Sequence, residues 1–203
     1  MTQSVDLGLR LREAREDRGK SLRGVAQAIG VSPSLLSQVE NGHIQPSVPT
    51  LYALVTHLEA SLDEVLGVQA GVPLAAEHIG SDAIVIQKAD NNSVAHMGDG
   101  VTWESLAHAP GASSVSGYLV TYDPHTGTNG SQSERLQHVG SEYGVLVQGE
   151  LTLYIRDEAH VLSAGDSVHF DSMIPHLYVN HGTEPARGVW YLWGQTPHDE
   201  IDH

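Results

Sequence analysis

The sequence predicts two domains, an all-α bundle of five short helices followed by an all-β barrel. Three observations carry this. Apolar residues recur with a helical period as far as Gly67, with Ser or Pro at the starts of the runs. After Gly80 the period changes to short alternating runs bounded by Gly, Pro, Asp and Asn. About nine such runs follow at the spacing of a sandwich or barrel, in a chain of 203 residues that has room for two modest domains.

Helix 1 is expected from Val5 to Arg18. Ser21 caps the next helix, which carries Leu22, Val25, Ala26 and Ile29 at i, i+3, i+4 and i+7; Gly30 ends it in a left-handed conformation. Ser32 is an N-cap with Pro33 at the first helical position, a strong start signal for a helix reaching Glu40. Leu36 and Val39 turn inward, leaving Pro33, Ser34, Ser37 and Gln38 facing out. A fourth helix spans Pro49 to Leu58 with Leu51, Leu54, Val55 and Leu58 on one face, and Ser61 with Glu64 forms a capping box for a short fifth. The domain is bounded at 5–67, a Gly- and Pro-containing linker at 68–80, the β domain at 81–195 and a polar tail at 196–203. Expected strands are Ala83–Gln87, Thr102–Ala107, Ser116–Tyr122, Tyr143–Val147, Glu150–Arg156, His160–Leu162, Ser167–Phe170, His176–Val179 and Gly188–Trp193.

A short helix with a small, polar, hydrogen-bonding outer face suits a DNA major groove. The segment SLRGVAQAIGVSPSLLSQVENG followed by PSVPTL resembles the helix-turn-helix of the Cro/C1, or XRE, family, over about Leu7 to Gly67. The resemblance implies that Pro33, Ser34, Ser37 and Gln38 face base edges, with Arg23, Ser32 and Asn41 flanking them. It also implies that Arg15 and Glu40 form a structural ion pair.

The net charge of −15 argues superficially against nucleic acid. Its distribution softens that. Residues 1–67 hold six Lys/Arg and eight Asp/Glu, the remainder four and seventeen. Arg10, Arg12, Arg15, Arg18, Lys20 and Arg23 cluster where phosphate contacts are usually made, and such a small cationic set predicts a shallow salt dependence. The absence of cysteine excludes disulfides, thiolate metal sites and a Cys nucleophile. No run of eighteen apolar residues and no apolar signal core is present, so a cytoplasmic location without membrane contact is expected.

In the β half, His138 to Leu151 and Gly165-Asp166 through Pro175-His176 to Asn180 resemble the two motifs of the cupin superfamily, a double-stranded β-helix or jelly-roll barrel. That family holds a metal with two His, a Glu and a further His. Here the first His position falls on Leu136, leaving His138, Glu142 and His176. Two imidazoles and a carboxylate can hold one divalent ion with open coordination positions, iron, zinc or nickel being plausible occupants. Gly149, Gly165 and Asp166 are assigned to turns. Trp103, Trp190, Trp193 and Phe170 are assigned to the core, and Leu136, Tyr118 and Tyr178 to an effector pocket. His160 and His169 are weaker ligand candidates that can face either way from their strands, and His43 reads as a solvated turn residue, with a phosphate contact as the alternative.

The resemblances together imply a transcription regulator, not an enzyme: a homodimer binding a double-stranded DNA operator, with a barrel that senses a small-molecule effector. An alternative is a mononuclear non-haem iron enzyme acting on a phosphonate-like molecule, because a family of such enzymes also joins an XRE-like domain to a cupin. A phosphonate needs cations, and the β half has only Lys88, Arg135, Arg156 and Arg187.

Overall fold

The computed structural model describes residues 3–4, 6–67, 85–108, 115–127 and 135–194. The linker read at 68–80 and the tail at 196–203 lie outside the described residues. Five helices come first: α1 (Leu7–Asp17), α2 (Leu22–Ala28), α3 (Pro33–Glu40), α4 (Val48–Leu58) and α5 (Leu62–Leu66). Each begins with a side-chain cap that accepts from the backbone N–H three residues on. Asp6 accepts from Leu9, Ser21 from Gly24, Ser32 from Leu35, Ser47 from Thr50 and Ser61 from Glu64. Because Asp6 is the cap, α1 starts at Leu7 and not at Val5. Gly30 has φ +76°, the left-handed conformation that closes α2.

Leu7, Leu11 and Ala14 of α1 pack with Val25, Ala26, Leu36, Val39, Leu51, Leu54 and Leu58 in the bundle core. Gly8 lets α1 approach α3 closely, since a Cβ there would stand 2.2 Å from the Val39 carbonyl oxygen. Arg15 and Glu40 tie the same two helices through a bidentate pair, Nε to Oε1 at 2.6 Å and Nη2 to Oε2 at 2.9 Å. The Glu40 carboxylate raises the Arg15 pKa despite burial.

The β domain contains β2 (Ser93–His96), β3 (Val101–Ser105), β4 (Val115–Tyr122), β5 (Ser141–Gln148), β6 (Glu150–Ile155), β7 (Glu158–Ser163), β8 (Ser167–Asp171), β9 (His176–Val179) and β10 (Ala186–Trp193). An N-terminal strand β1 (Gln3–Ser4) pairs parallel to β2. Among the described residues the sheets run β1-β2-β3-β4-β10-β5-β8 and β7-β6-β9. Residues 85–87 of the expected strand Ala83–Gln87 are not in a strand; the Gln87 side chain instead donates to Asn92 Oδ1 and the Ser105 carbonyl. Strand β2 escapes sequence reading because its only buried residues are Val94 and Ala95, too few for a period.

The two domains share one contiguous core. Helix α4 is its bridge: Leu51, Leu54 and Leu58 face the bundle, while Val48 and Tyr52, also buried, reach the barrel. Replacing Glu40 with Ala leaves the Arg15 charge buried without its main partner. We expect a loss of about 3 kcal/mol of stability, read as a lower urea midpoint for the bundle.

Candidate functional site

The walls of the barrel cavity follow from strand alternation, which sends every second side chain inward. Glu142 and Leu146 point in from β5, His176 and Tyr178 from β9, Trp190 and Leu192 from β10, and Tyr118, Val120 and Tyr122 from β4. His138 lies just before β5, where its N–H donates to the Ser172 carbonyl. Leu136 exchanges both backbone hydrogen bonds with His176, which sets the two side by side.

His138, Glu142 and His176 converge, with one donor atom from each lying within 4.8 Å of the others. The Nε2 atoms of both histidines stand 3.8 Å from Glu142 Oε2. Their Nδ1 atoms face carbonyl oxygens, Val139 at 3.3 Å and Ile174 at 2.8 Å, and a carbonyl only accepts. In the neutral form of either ring, that partner places the proton on Nδ1 and leaves the lone pair on Nε2, beside the carboxylate. Burial lowers the His176 pKa, so that ring is held neutral. Two imidazole lone pairs and a carboxylate oxygen facing one another fit a divalent cation.

The other carboxylate oxygen is held from behind. Tyr178 donates its hydroxyl to Glu142 Oε1 at 2.6 Å and accepts from Trp190 Nε1–H at 3.0 Å. Burial, reinforced by the Glu142 charge, raises the Tyr178 pKa well above its ordinary value and keeps the phenol a donor. Two glycines make room for Trp190: a Cβ at Gly188 would lie 2.2 Å from its ring, and one at Gly144 2.6 Å from its Nε1.

Glu142, His176, Tyr178 and Trp190 border a cavity of about 300 Å³. Leu136, Tyr118 and Tyr178 all line it, as do Glu142 and His176. Among the described residues no Lys or Arg lines it. Trp103 and Trp190, assigned from sequence to the core, are buried but border the cavity; a tryptophan fills barrel volume and presents a ring face inward at once. The Trp103 indole N–H has no hydrogen-bond partner among the described residues. Trp103 and Trp190 belong to the core as expected, whereas Trp193 does not: it is half-buried and stacks on His169 with ring centroids 5.4 Å apart on the outer side of the sheet. His160 is exposed, and neither it nor His169 joins the histidine–glutamate group. Sequence reading missed Tyr52 and Asp99 in the lining. The signal for Tyr52 was its i, i+4 spacing from Val48, a second apolar stripe beside the Leu51–Leu58 face.

In the helical bundle, Ser32, Pro33, Ser34, Gln38 and Asn41 are exposed along α3, and Ser37 is half-buried. Gln38 donates to Ser34 Oγ at 3.4 Å, and Asn41 to the Ser37 carbonyl at 2.7 Å, so Asn41 also caps the helix end. The basic cluster turns out to be largely spent on architecture. Arg10 and Arg18 bind Glu64, Arg12 pairs with Glu16, Arg15 with Glu40, and Lys20 donates to the His57 carbonyl. Arg23 is exposed on α2 and is the one cation of the bundle without such a partner among the described residues.

Residues 6–66 match the model of a helix-turn-helix domain and residues 118–192 that of a cupin domain. The fold and both matches give the chain an XRE-type helix-turn-helix domain followed by a cupin domain, the make-up of a DNA-binding transcription regulator. It is similar to the HTH-type transcriptional regulator PuuR of Escherichia coli, 29% identical over 85% of this chain and 86% of that protein. It is also similar to the regulator SutR of the same organism, 27% identical over 88% and 89%. The crystal structure of an HTH_3 family transcriptional regulator from Vibrio cholerae superposes with a TM-score of 0.61 at 21% identity, over 93% of this chain and 94% of that one. Hydroxypropylphosphonic acid epoxidase from S. wedmorenis superposes with a TM-score of 0.49 at 18% identity, over 95% and 99%, a likeness too distant to bear on activity. No helix among the described residues is long and apolar enough to cross a membrane.

Proposed function

We propose that this regulator reads a two-fold operator with α3 and takes its signal from a small molecule in the barrel cavity. The observation that carries the DNA reading is the outer face of α3. The bundle consumes Leu36, Val39 and Glu40 and leaves Pro33, Ser34 and Gln38 exposed on the other side. Gln38 has the donor–acceptor pair for an adenine edge, Ser34 and Ser37 can serve several bases, and Arg23 with Ser32 and Asn41 lies where phosphates pass. The cation-free cavity wall counts against a phosphonate substrate and so against the enzyme reading.

A homodimer is supported by the outer face of the seven-stranded sheet. Across strands β4, β10 and β5, Leu119, Val189 and Val145 align in one row, and Tyr191 and Tyr143 in the next. Tyr143, Val147 and Tyr191 are exposed, an apolar stretch of the kind that covers itself by association. Two heads on one β dimer give the symmetry of a two-fold operator. Within the cavity, His138, Glu142 and His176 would hold one divalent ion, iron, zinc or nickel, supplying a Lewis-acid anchor for an oxygen or nitrogen donor of the effector. Tyr178 fixes the carboxylate, and Leu136 leaves the set one ligand short.

Selection of random duplexes on the purified protein should enrich half-sites about one helical turn apart; no enriched motif would sink the DNA reading. Gln38→Ala should cost about 1–3 kcal/mol at the cognate site and relax one base position. Arg23→Ala should weaken all sequences alike and lower the salt slope by about 1. By mass spectrometry, His176→Ala should abolish bound metal, His160→Ala and His169→Ala should leave it, and Leu136→His should tighten it; unchanged metal in His176→Ala refutes the assignment. Tyr191→Glu should convert the dimer to monomer in sedimentation experiments, and an unaltered dimer would place the interface elsewhere.

A further inference from the structure

The cavity does not belong to the barrel alone. Ser47, Val48, Pro49 and Tyr52, all from the start of α4, line it together with the strands. The Tyr52 ring lies flat on the His138 imidazole, centroids 4.5 Å apart and planes at 12°, and meets Trp103 edge-on at 6.2 Å. Four hydrogen bonds pin this seam. The Val48 N–H, a donor that the helix cannot satisfy internally, donates a hydrogen bond to Asp99 Oδ2 at 3.0 Å. The Gly98 N–H donates to the Pro46 carbonyl at 2.9 Å, and a Cβ on Gly98 would come within 2.4 Å of the Gln45 oxygen. Asp63, at the N-terminus of α5, accepts from Ser116 and from the Tyr118 hydroxyl at 2.7 Å. Only residues 41–47 separate α3 from α4, and both helices pack in one core, so the seat of α4 fixes the direction of α3.

We propose that Tyr52 couples the two domains: seating of α4 on the barrel and occupancy of the His138–Glu142–His176 group are one linked equilibrium. This rests on the reading of that group as a cation site. A cation held by His138 fixes the ring on which Tyr52 rests, and the docked Tyr52 in turn holds His138 in its binding orientation. The occupant therefore binds the docked arrangement more tightly than the undocked one, which is the differential affinity that coupling requires. Reciprocity then makes the placement of α3 respond to the cavity, and the cavity to DNA. A helix shared by both domains carries the signal, so no separate relay is needed.

Hydrogen–deuterium exchange of the full chain, with and without Co²⁺ as the probe, tests this. In the wild type, saturating Co²⁺ should slow exchange of amides 48–58 by a factor within about 5–150, the usual span of coupling. Tyr52→Ala should lose most of that slowing and bind Co²⁺ about 2- to 12-fold more weakly, the worth of one aromatic contact. Tyr52→Phe, which keeps the ring, should behave as wild type. Gly98→Val, outside the cavity lining, should unseat α4 and lose the slowing in the same way. Co²⁺ that binds wild type without altering exchange in 48–58, or a full response retained in Tyr52→Ala, overturns the coupling. If wild type binds no Co²⁺, the cation reading fails, and the coupling is then decided by His138→Ala without metal. Faster exchange across 48–55 with α2 unchanged sustains it, and unchanged exchange across 48–55 overturns it.

Discussion

Burial of α4 on two sides is the constraint on which the rest of the molecule depends. One stripe, Leu51, Leu54 and Leu58, completes the core of the helical bundle, and a second, Val48 and Tyr52, closes the barrel. A surface helix commonly buries a single apolar stripe. With two stripes buried, this helix has no face on which it can slide past either domain without opening apolar surface to water. The bundle and the barrel are therefore joined through packing as well as through the chain.

The polar contacts at the seam are arranged to make that joint specific. Asp99 meets the N-terminal end of α4 and Asp63 stands in the first turn of α5, where the helix field favours a negative charge. Asp63 is satisfied by two hydroxyls from β4, and burial with the neighbouring Asp63 charge raises the Tyr118 pKa well above its ordinary value, keeping it a donor. Gly98 permits backbone contact at a distance that a side chain would forbid. Apolar burial supplies most of the attraction at such a joint, and these directional bonds select one arrangement from the many that apolar contact alone would allow.

The same economy governs both domains. In the bundle, most cations are committed to holding helices together, which leaves Arg23 and the neutral outer face of α3 exposed. On the proposed reading, an acidic protein built in this way would depend on hydrogen-bond readout more than on bulk attraction, with an affinity correspondingly tolerant of salt. At the cavity, a chain of donors from Trp190 through Tyr178 fixes one oxygen of Glu142 and leaves the other to the histidines. The glycines at 144 and 188 exist on the page of the sequence as unremarkable strand residues; their purpose is visible only once Trp190 lies across them.

Much of this was legible in the sequence because it is local. Caps act over three residues, helical and strand periods over four or two, and a left-handed glycine within one turn. Ser21, Ser32, Ser61 and Gly30 announced the bundle, and alternation announced most of the strands. The histidine–glutamate group was legible through motif spacing, since strand pairing brings together segments whose order the motifs encode. What the sequence could not decide is what lies between distant segments. Tyr52 and His138 are separated by 86 positions in the chain, and no local rule relates a helix residue to a ring in another domain. Nor could composition show that Arg10, Arg15, Arg18 and Lys20 are engaged by partners brought to them by packing. Tertiary structure alone determined that the barrel cavity has a wall made from the helix-turn-helix domain, because the docking energy resides in contacts that exist only after both domains have folded.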